Sequence, residues 1–249
     1  AIYCGDRKQA IYQFRGADSA AMQKIEDDLK CQLLPLSICY RCGTSIIAAA
    51  KAIVPQIEAA PGAPEGVVET IWRDEFSPIE EDMVVCRTTA PLVENCLRLI
   101  REGKTATVKG RDIGKSIEVL IKKARCGRGE EINTFLSAME AYYQTEHDKL
   151  TRSRREQALQ TLEDKYDTIL ALSDHDECQT VGDILDTIER LFSDEARGIM
   201  FSTVHKAKGL EADTVYILRP DLMPHPKAKD IAAEMNILYV ATTRAKLRL

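Results

Sequence analysis

The chain has 249 residues, 45% hydrophobic and 29% charged, which excludes a disordered or fibrous polypeptide and leaves room for one sizeable core with a smaller companion. A net charge of −5 and a pI of about 5.6 exclude a wholly basic protein that coats nucleic acid, although charge can still be segregated along the chain. No apolar run approaches the ~18 residues that a membrane helix needs, so a soluble protein without membrane partners is expected.

In chain order, residues 1–4 read as an apolar strand, followed after Gly5-Asp6 by a short helical stretch to residue 28. Residues 33–38 read as a strand and 44–57 as a helix, and the Pro- and Gly-rich 59–66 as a loop. Strands at 67–72, 83–86 and 105–108 alternate with a helix at 90–102, the pattern of a parallel, doubly wound sheet. From 116 to 194 only helical periods appear (117–124, 131–168 with a break, 181–192), so an all-helical insertion is expected there. Strands return at 198–204 and 214–218, then a helix at 232–238 and a last strand at 247–249. Domains seldom start and stop inside a strand, because half a strand leaves its backbone groups unpaired; the sequence is therefore expected to be a trimmed piece.

Eight cysteines are scattered without a secretory signal, so free thiols in a reducing, cytoplasmic setting are expected, with no disulfides. Cys39-Tyr40-Arg41-Cys42 has CxxC spacing, but no second pair follows at the spacing of a zinc site, and His175 with Cys178 is an isolated pair. No metal ligands are assigned. Residues 101–128 carry nine basic side chains against three acidic ones, a net +6, which suits a solvated helix face at least as well as phosphate contacts.

The segment KGRDIGKS (109–116) lies between a strand and a helix and ends in Gly-Lys-Ser, as a phosphate-binding loop does. A Walker A loop needs Gly-x4-Gly-Lys-[Ser/Thr], however, and position 109 is lysine. The segment is read instead as a strand-to-helix connection with an N-cap at Ser116.

Four widely separated blocks carry chemistry. In GDRKQAIYQFRGA (5–17) an acid and an amide at a strand end can sense a phosphate or its attacking water, and aromatics with an arginine can stack on bases. In LSICYRCGTSII (36–47), Arg41 offers a permanently charged fork suited to phosphoryl oxygens. IMFSTVHKAKGLEADTV (199–215) ends a strand at a hydroxyl and a histidine before a Gly turn and an acid, and EMNILYVATTRAK (234–246) carries Arg244 at the end of a helix.

In this order the blocks resemble motifs III, IV, V and VI of UvrD/Rep/PcrA-like superfamily 1 DNA helicases. Residues 84–110 are similar to that family's motif IVa region, while 115–194 match only in position and helical character. The resemblance implies an α/β fold: a RecA-like parallel sheet, the second helicase domain, with an inserted all-helical subdomain. The corresponding segments are 1–30 (the end of the first RecA-like domain), 31–114 and 197–249 (the second) and 115–196 (the insertion). It implies that Gln9 reports on the γ-phosphate, that Arg41 and Arg244 are arginine fingers, and that Gly209 and Glu211 line the nucleotide, Glu211 on the ribose. Tyr12, Phe14, Arg15, Thr203, His205 and Lys208 are assigned to DNA. Departures are Cys39 and Cys42 for the usual Asn and Ser of motif IV, and Asn236 with Ile237 for the basic pair of motif VI.

By the same resemblance, the full-length protein uses ATP and Mg2+, with Walker motifs in an N-terminal RecA-like domain missing here. It translocates on single-stranded DNA and unwinds duplex DNA in repair, replication or recombination, in a bacterial or phage-like source. The piece alone should hold no cofactor tightly and should not hydrolyse ATP. A DNA-binding or partner-docking module with a helicase fold, and the helicase part of an AddA/RecB-type nuclease, are the alternatives.

Overall fold

A computed structural model describes residues 1–12, 20–174, 178–195 and 198–249. The chain forms two compact units, Ala1–Arg87 with Ala207–Leu249, and Thr88–Lys206.

In the first unit, β1 (Ile38–Cys39) and β2 (Glu58–Ala59) form a parallel pair. Strands β3 (Met83–Cys86), β7 (Ala212–Ile217) and β8 (Ala245–Arg248) run parallel in the order β3-β7-β8, with Val84 opposite Tyr216 and Ala212 opposite Ala245. All four residues of β3 are buried, as a strand covered on both faces requires, and this is why it reads as a continuous apolar run. Helix α1 (Ala21–Leu29) follows the undescribed residues 13–19; helix α2 (Thr44–Lys51) buries Ile46, Ile47 and Ala50, and helix α9 (Ile231–Thr242) buries Ile237, Tyr239, Val240 and Ala241. The Asp230 carboxylate caps α9 by accepting from the Ala233 amide at 2.9 Å.

In the second unit, β5 (Phe192–Ser193), β4 (Ala106–Lys109) and β6 (Ile199–Thr203) are parallel in the order β5-β4-β6. Helix α3 (Ala90–Arg101) turns Leu92, Cys96 and Leu99 inward at helical spacing. Between β4 and β5 the described chain is helical: α4 (Arg111–Ile121), α5 (Ile132–Arg152), α6 (Glu156–Ser173) and α7 (Val181–Leu191). Asp164 on α6 accepts from the amides of Thr89 (2.7 Å) and Ala90 (3.4 Å), satisfying orphan donors at the start of α3. Thr180 and Asp183 form a capping box on α7. Helix α8 (Val204–Ala207) directly follows β6. No helix among the described residues is long and apolar enough to cross a membrane.

Both units are parallel α/β assemblies, the fold class the resemblance implies. Several local expectations are corrected. Residues 1–4 pair with no strand among the described residues, and 67–72 form no full strand: Val67 N donates to Leu247 O (2.7 Å), Leu249 N to Val67 O (2.9 Å) and Glu69 N to Leu249 O (3.0 Å), but the pairing beside β8 stops there, at the single bridge of Val67 to Arg248. The strand expected at 33–38 reduces to Ile38–Cys39, and the helix expected to reach 57 stops at Lys51. Ser116 caps nothing, because α4 already begins at Arg111 behind Gly110; its hydroxyl donates to Ile113 O at 2.8 Å inside the helix. The Gly110–Ser116 segment is therefore not folded as a loop around an anion.

Gly198 enters β6 at φ +68°, and a Cβ there would lie 2.1 Å from the Thr105 carbonyl oxygen. Gly103, at φ +82°, faces open space. Gly198→Ala is therefore expected to lower stability by more than about 2 kcal/mol, through backbone displacement added to a left-handed φ. Gly103→Ala should cost about 1 kcal/mol, from φ alone. Denaturant unfolding of the two variants checks the difference.

Candidate functional site

The first unit gathers three chain segments around two arginines. Arg41 lies on the turn between β1 and α2, Glu211 on the turn before β7, and Arg244 between α9 and β8. Arg41 Nε meets Glu211 Oε2 at 2.5 Å, and its Nη1 donates to the Thr243 carbonyl at 3.3 Å. Lys246 Nζ approaches the other Glu211 oxygen at 3.2 Å and Asp213 at 3.8 Å. The hydrogen bond from Arg41, then that from Lys246, hold the Glu211 carboxyl below its ordinary range. These groups are a third or more exposed, so the pairing is readily exchanged.

Arg244 differs in kind. It is 2% exposed and spends its donors on Val240 O (2.9 Å), Leu210 O (3.0 Å) and Thr243 Oγ1 (3.3 Å). Burial, and after it the neighbouring charge of Arg41, press its guanidinium below the usual value, while Cys42, Glu211 and Tyr239 act the other way. Among the described residues no carboxylate is hydrogen-bonded to it. Its hold on Leu210 O fixes the turn in which Gly209 takes φ +90°, a conformation that suits glycine although no neighbour crowds it.

The N-terminal segment joins the same unit. The Asp6 carboxylate accepts from Lys8 N (2.8 Å) and from Gln9 Nε2 (2.8 Å) in a 3-10 turn that packs against α9. Burial, then the charge of Asp6, push the Tyr239 hydroxyl up to about 12. Lys208 Nζ donates to Gln9 O at 2.9 Å and stands 5.4 Å from the centre of the Tyr12 ring. Gln9, Tyr12 and Lys208, drawn from blocks about 200 residues apart in sequence, thus share one surface. Phe14 and Arg15 lie outside the described residues.

Thr203 and His205 belong to the second unit. Thr203 is buried, its hydroxyl accepting from Lys206 N at 3.4 Å, and His205 is half-buried on α8. Lys206, which the sequence gave no reason to single out, pairs with Asp112 at 2.7 Å. Most basic side chains of 101–128 are exposed in this unit. Among the described residues no cluster of His, Cys, Asp or Glu is placed to hold a metal ion.

Sequence reasoning missed Lys246, the Thr243 carbonyl and the Asp6 anchor of Gln9. Lys246 was legible only as the last charge of its block, and a backbone acceptor has no signature in residue type. It also missed Glu234, 6% exposed, which accepts both Arg87 Nε (2.9 Å) and Nη2 (2.8 Å) and the His225 amide (3.2 Å). Asn236 and Ile237 place no cation here, and Ile237 is core.

Arg41, Glu211, Arg244 and the Gly209 turn are thus gathered at strand and helix ends of a parallel α/β unit. The family model described as the UvrD-like helicase C-terminal domain matches residues 45–249, and the chain belongs to that family. Over 57 residues it is 39% identical to the protein described as ATP-dependent DNA helicase srs2 of Schizosaccharomyces pombe. That match covers 22% of this chain and 6% of the relative, so the chain answers to a small part of that protein's length. Gln9 and Arg41 precede the residues matched by the family model.

Burial raises the cost of a charge on Glu234, but the Arg87 hydrogen bonds and charge, with the His225 amide, outweigh it and hold the carboxyl below 4.5. A depressed folded-state pKa stabilises the fold above the unfolded value, and the effect is lost as pH falls through the folded one. Glu234→Gln is expected to cost about 3 kcal/mol at pH 7 by leaving Arg87 half-buried without its anion. The deficit should shrink as pH drops below about 4.5, where the parent carboxyl of ordinary pKa would protonate on unfolding. Urea unfolding of both proteins from pH 7 to pH 3 measures it.

Proposed function

We propose that this chain is the responding half of an ATP-dependent DNA motor: the second RecA-like domain of a helicase that moves on single-stranded DNA. The observation that carries this reading is the pair Arg41 and Arg244. Two guanidiniums stand close enough for one to disfavour the other's charge, with Arg244 hydrogen-bonded to no anion among the described residues. Such a pair favours an incoming phosphoryl group. The residues fit a nucleotide's edge: Arg41 is accessible, Glu211 offers a carboxylate to a hydroxyl, and Gly209 leaves room for close approach.

ATP, when bound, supplies the free energy of phosphoanhydride cleavage, and its Walker contacts and Mg2+ are assigned to another RecA-like domain of the full-length protein. Arg41 exchanges its exposed bond to Glu211 for the terminal phosphoryl oxygens and so stabilises charge as they leave. Glu211, released from Arg41 and still held by Lys246, is free to accept a ribose hydroxyl. Arg244 acts from beneath, holding Leu210 and Thr243 so that both partners of Arg41 keep their places.

The DNA side follows from Lys208. Because it donates to Gln9 O and lies over Tyr12, a change at the nucleotide-facing Gln9 is passed to an aromatic on which a base can stack. Phe14, Arg15, Thr203 and His205 complete the DNA contacts on this reading. Stacking is tolerant of sequence, as a translocating motor requires. A cytoplasmic role in DNA repair, replication or recombination is the setting proposed.

In the full-length protein, Arg41→Ala is expected to lower DNA-stimulated ATP turnover by about 10³-fold or more, with nucleotide affinity changed far less. The 249-residue chain alone should show no DNA-stimulated hydrolysis. Steady-state phosphate release measures both. Full activity in Arg41→Ala, or DNA-stimulated turnover by the chain alone, would contradict the proposal.

A further inference from the structure

Helix α4 has one face set firmly into the second unit and an opposite face that carries only solvent-exposed cations and their flanks. On the inner face Gly114, Ile117, Leu120 and Ile121 are buried, and a Cβ on Gly114 would lie 3.0 Å from Phe192 Cβ and 3.1 Å from Ile188 Cγ2. On the outer face the exposed Arg111, Lys115 and Lys122 recur after four and then seven residues, so they form one stripe along the helix. Exposed Lys123 and Arg125 extend it where the helix tightens into the 3-10 turn Lys122–Ala124. At 1.5 Å per residue, Arg111 and Lys122 stand about 16 Å apart along the axis.

Among the described residues none of these five side chains has an anionic partner, whereas the cations around them are paired. Arg98 meets Glu102 at 2.7 Å, Arg128 meets Asp186 at 2.6 Å, and Lys206 donates to both oxygens of Asp112 at 2.7 and 2.8 Å. The Lys206 hydrogen bonds hold the Asp112 carboxyl below its ordinary range, so the acid next to Arg111 is already neutralised. Two acids remain at the stripe: Glu118, half-buried between Lys115 and Lys122, and Asp194, which accepts the Arg111 amide at 3.3 Å. Five cations against two acids leave a positive row fixed on a rigid helix, and the mutual repulsion of such a row is relieved by a polyanion.

We propose that this face of α4 grips the sugar–phosphate backbone of duplex DNA without reading its sequence. A duplex carries one negative charge per about 1.7 Å of its axis, so phosphates are met all along the stripe. Residues 101–128 contain no Phe, Tyr or Trp, so nothing in the stretch stacks on the unpaired bases of a single strand. A duplex keeps its bases stacked and is held in place through its phosphates, which is what a row of Lys and Arg can do. That the polyanion is DNA rests on the function proposed above. The stripe is a second contact, separate from the Tyr12 and Lys208 surface of the first unit to which the single strand is assigned.

Fluorescence anisotropy of the 249-residue chain with a blunt duplex and with a single strand of equal length, over a range of salt and without ATP, tests this. The triple variant Arg111→Ala, Lys115→Ala, Lys122→Ala is expected to flatten the duplex slope of log K against log salt by about 2.7, from three phosphate contacts at about 0.9 each. The reversal Lys115→Glu, Lys122→Glu should weaken duplex binding by roughly tenfold or more. Both variants should keep single-strand affinity within about twofold of the parent, which also shows that they fold, and duplexes of unrelated sequence should bind alike. An unchanged duplex slope, or an equal loss for the single strand, would overturn the proposal. Poly-glutamate bound as tightly as the duplex at equal charge, through the same three side chains, would overturn it in favour of an acidic protein segment. Duplex binding through α4 in a full-length protein without DNA-stimulated ATP turnover would support the face and count against the motor.

Discussion

The buried guanidinium of Arg244 is the constraint on which the first unit depends. An arginine does not shed its charge, so a site with 2% exposure must satisfy it with acceptors or bear a desolvation cost of several kcal/mol. Here the acceptors are two carbonyls and a hydroxyl from the end of α9 and from the turn before β7. Because Leu210 O is one of them, the neighbouring Glu211 is carried to where Arg41 reaches it. Because Thr243 is another, its carbonyl is left facing both Arg41 and Cys42. One immobile charge thereby sets the places of three segments distant in sequence.

The two arginines consequently have different freedoms. Exposed ion pairs such as Arg41 with Glu211 contribute ~0–1 kcal/mol, so a competing anion can displace one partner at little cost. Truncating a buried charge, or stranding its partner, costs ~3–5 kcal/mol. The fixed arginine is thus a scaffold for the movable one, and a site with one of each can respond to a ligand without unfolding. Lys246 adds to this, since Glu211 keeps a cationic partner when Arg41 leaves. The function proposed above acts through this movable side chain.

The parallel α/β class was legible because β3 and β6 are short apolar runs between helical periods, and the helical stretch between β4 and β5 because its period never changes. Residues 67–72 show the limit of that signal: alternation states which face could be buried, not how far pairing extends, and here the backbone bonds to the end of β8 stop at Glu69. Ser116 shows another, since Gly110 starts α4 one and a half turns earlier than the Gly-Lys-Ser sequence suggests. In the site, residue types pointed to Arg41, Arg244 and Lys208, yet backbone partners of theirs could not be read, being the oxygens of Thr243, Leu210 and Gln9.

On the function proposed, Arg41 leaves Glu211 for a phosphoryl group while Arg244 stays where it is. A crystal structure of the full-length protein with single-stranded DNA, ADP and a metal-fluoride mimic of the transferring phosphoryl group tests this directly. The expected result is the Arg41 guanidinium on the mimic, the Arg41–Glu211 bond opened, and the bonds of Arg244 to Val240 O and Leu210 O retained. An intact Arg41–Glu211 pair with the mimic bound would contradict it.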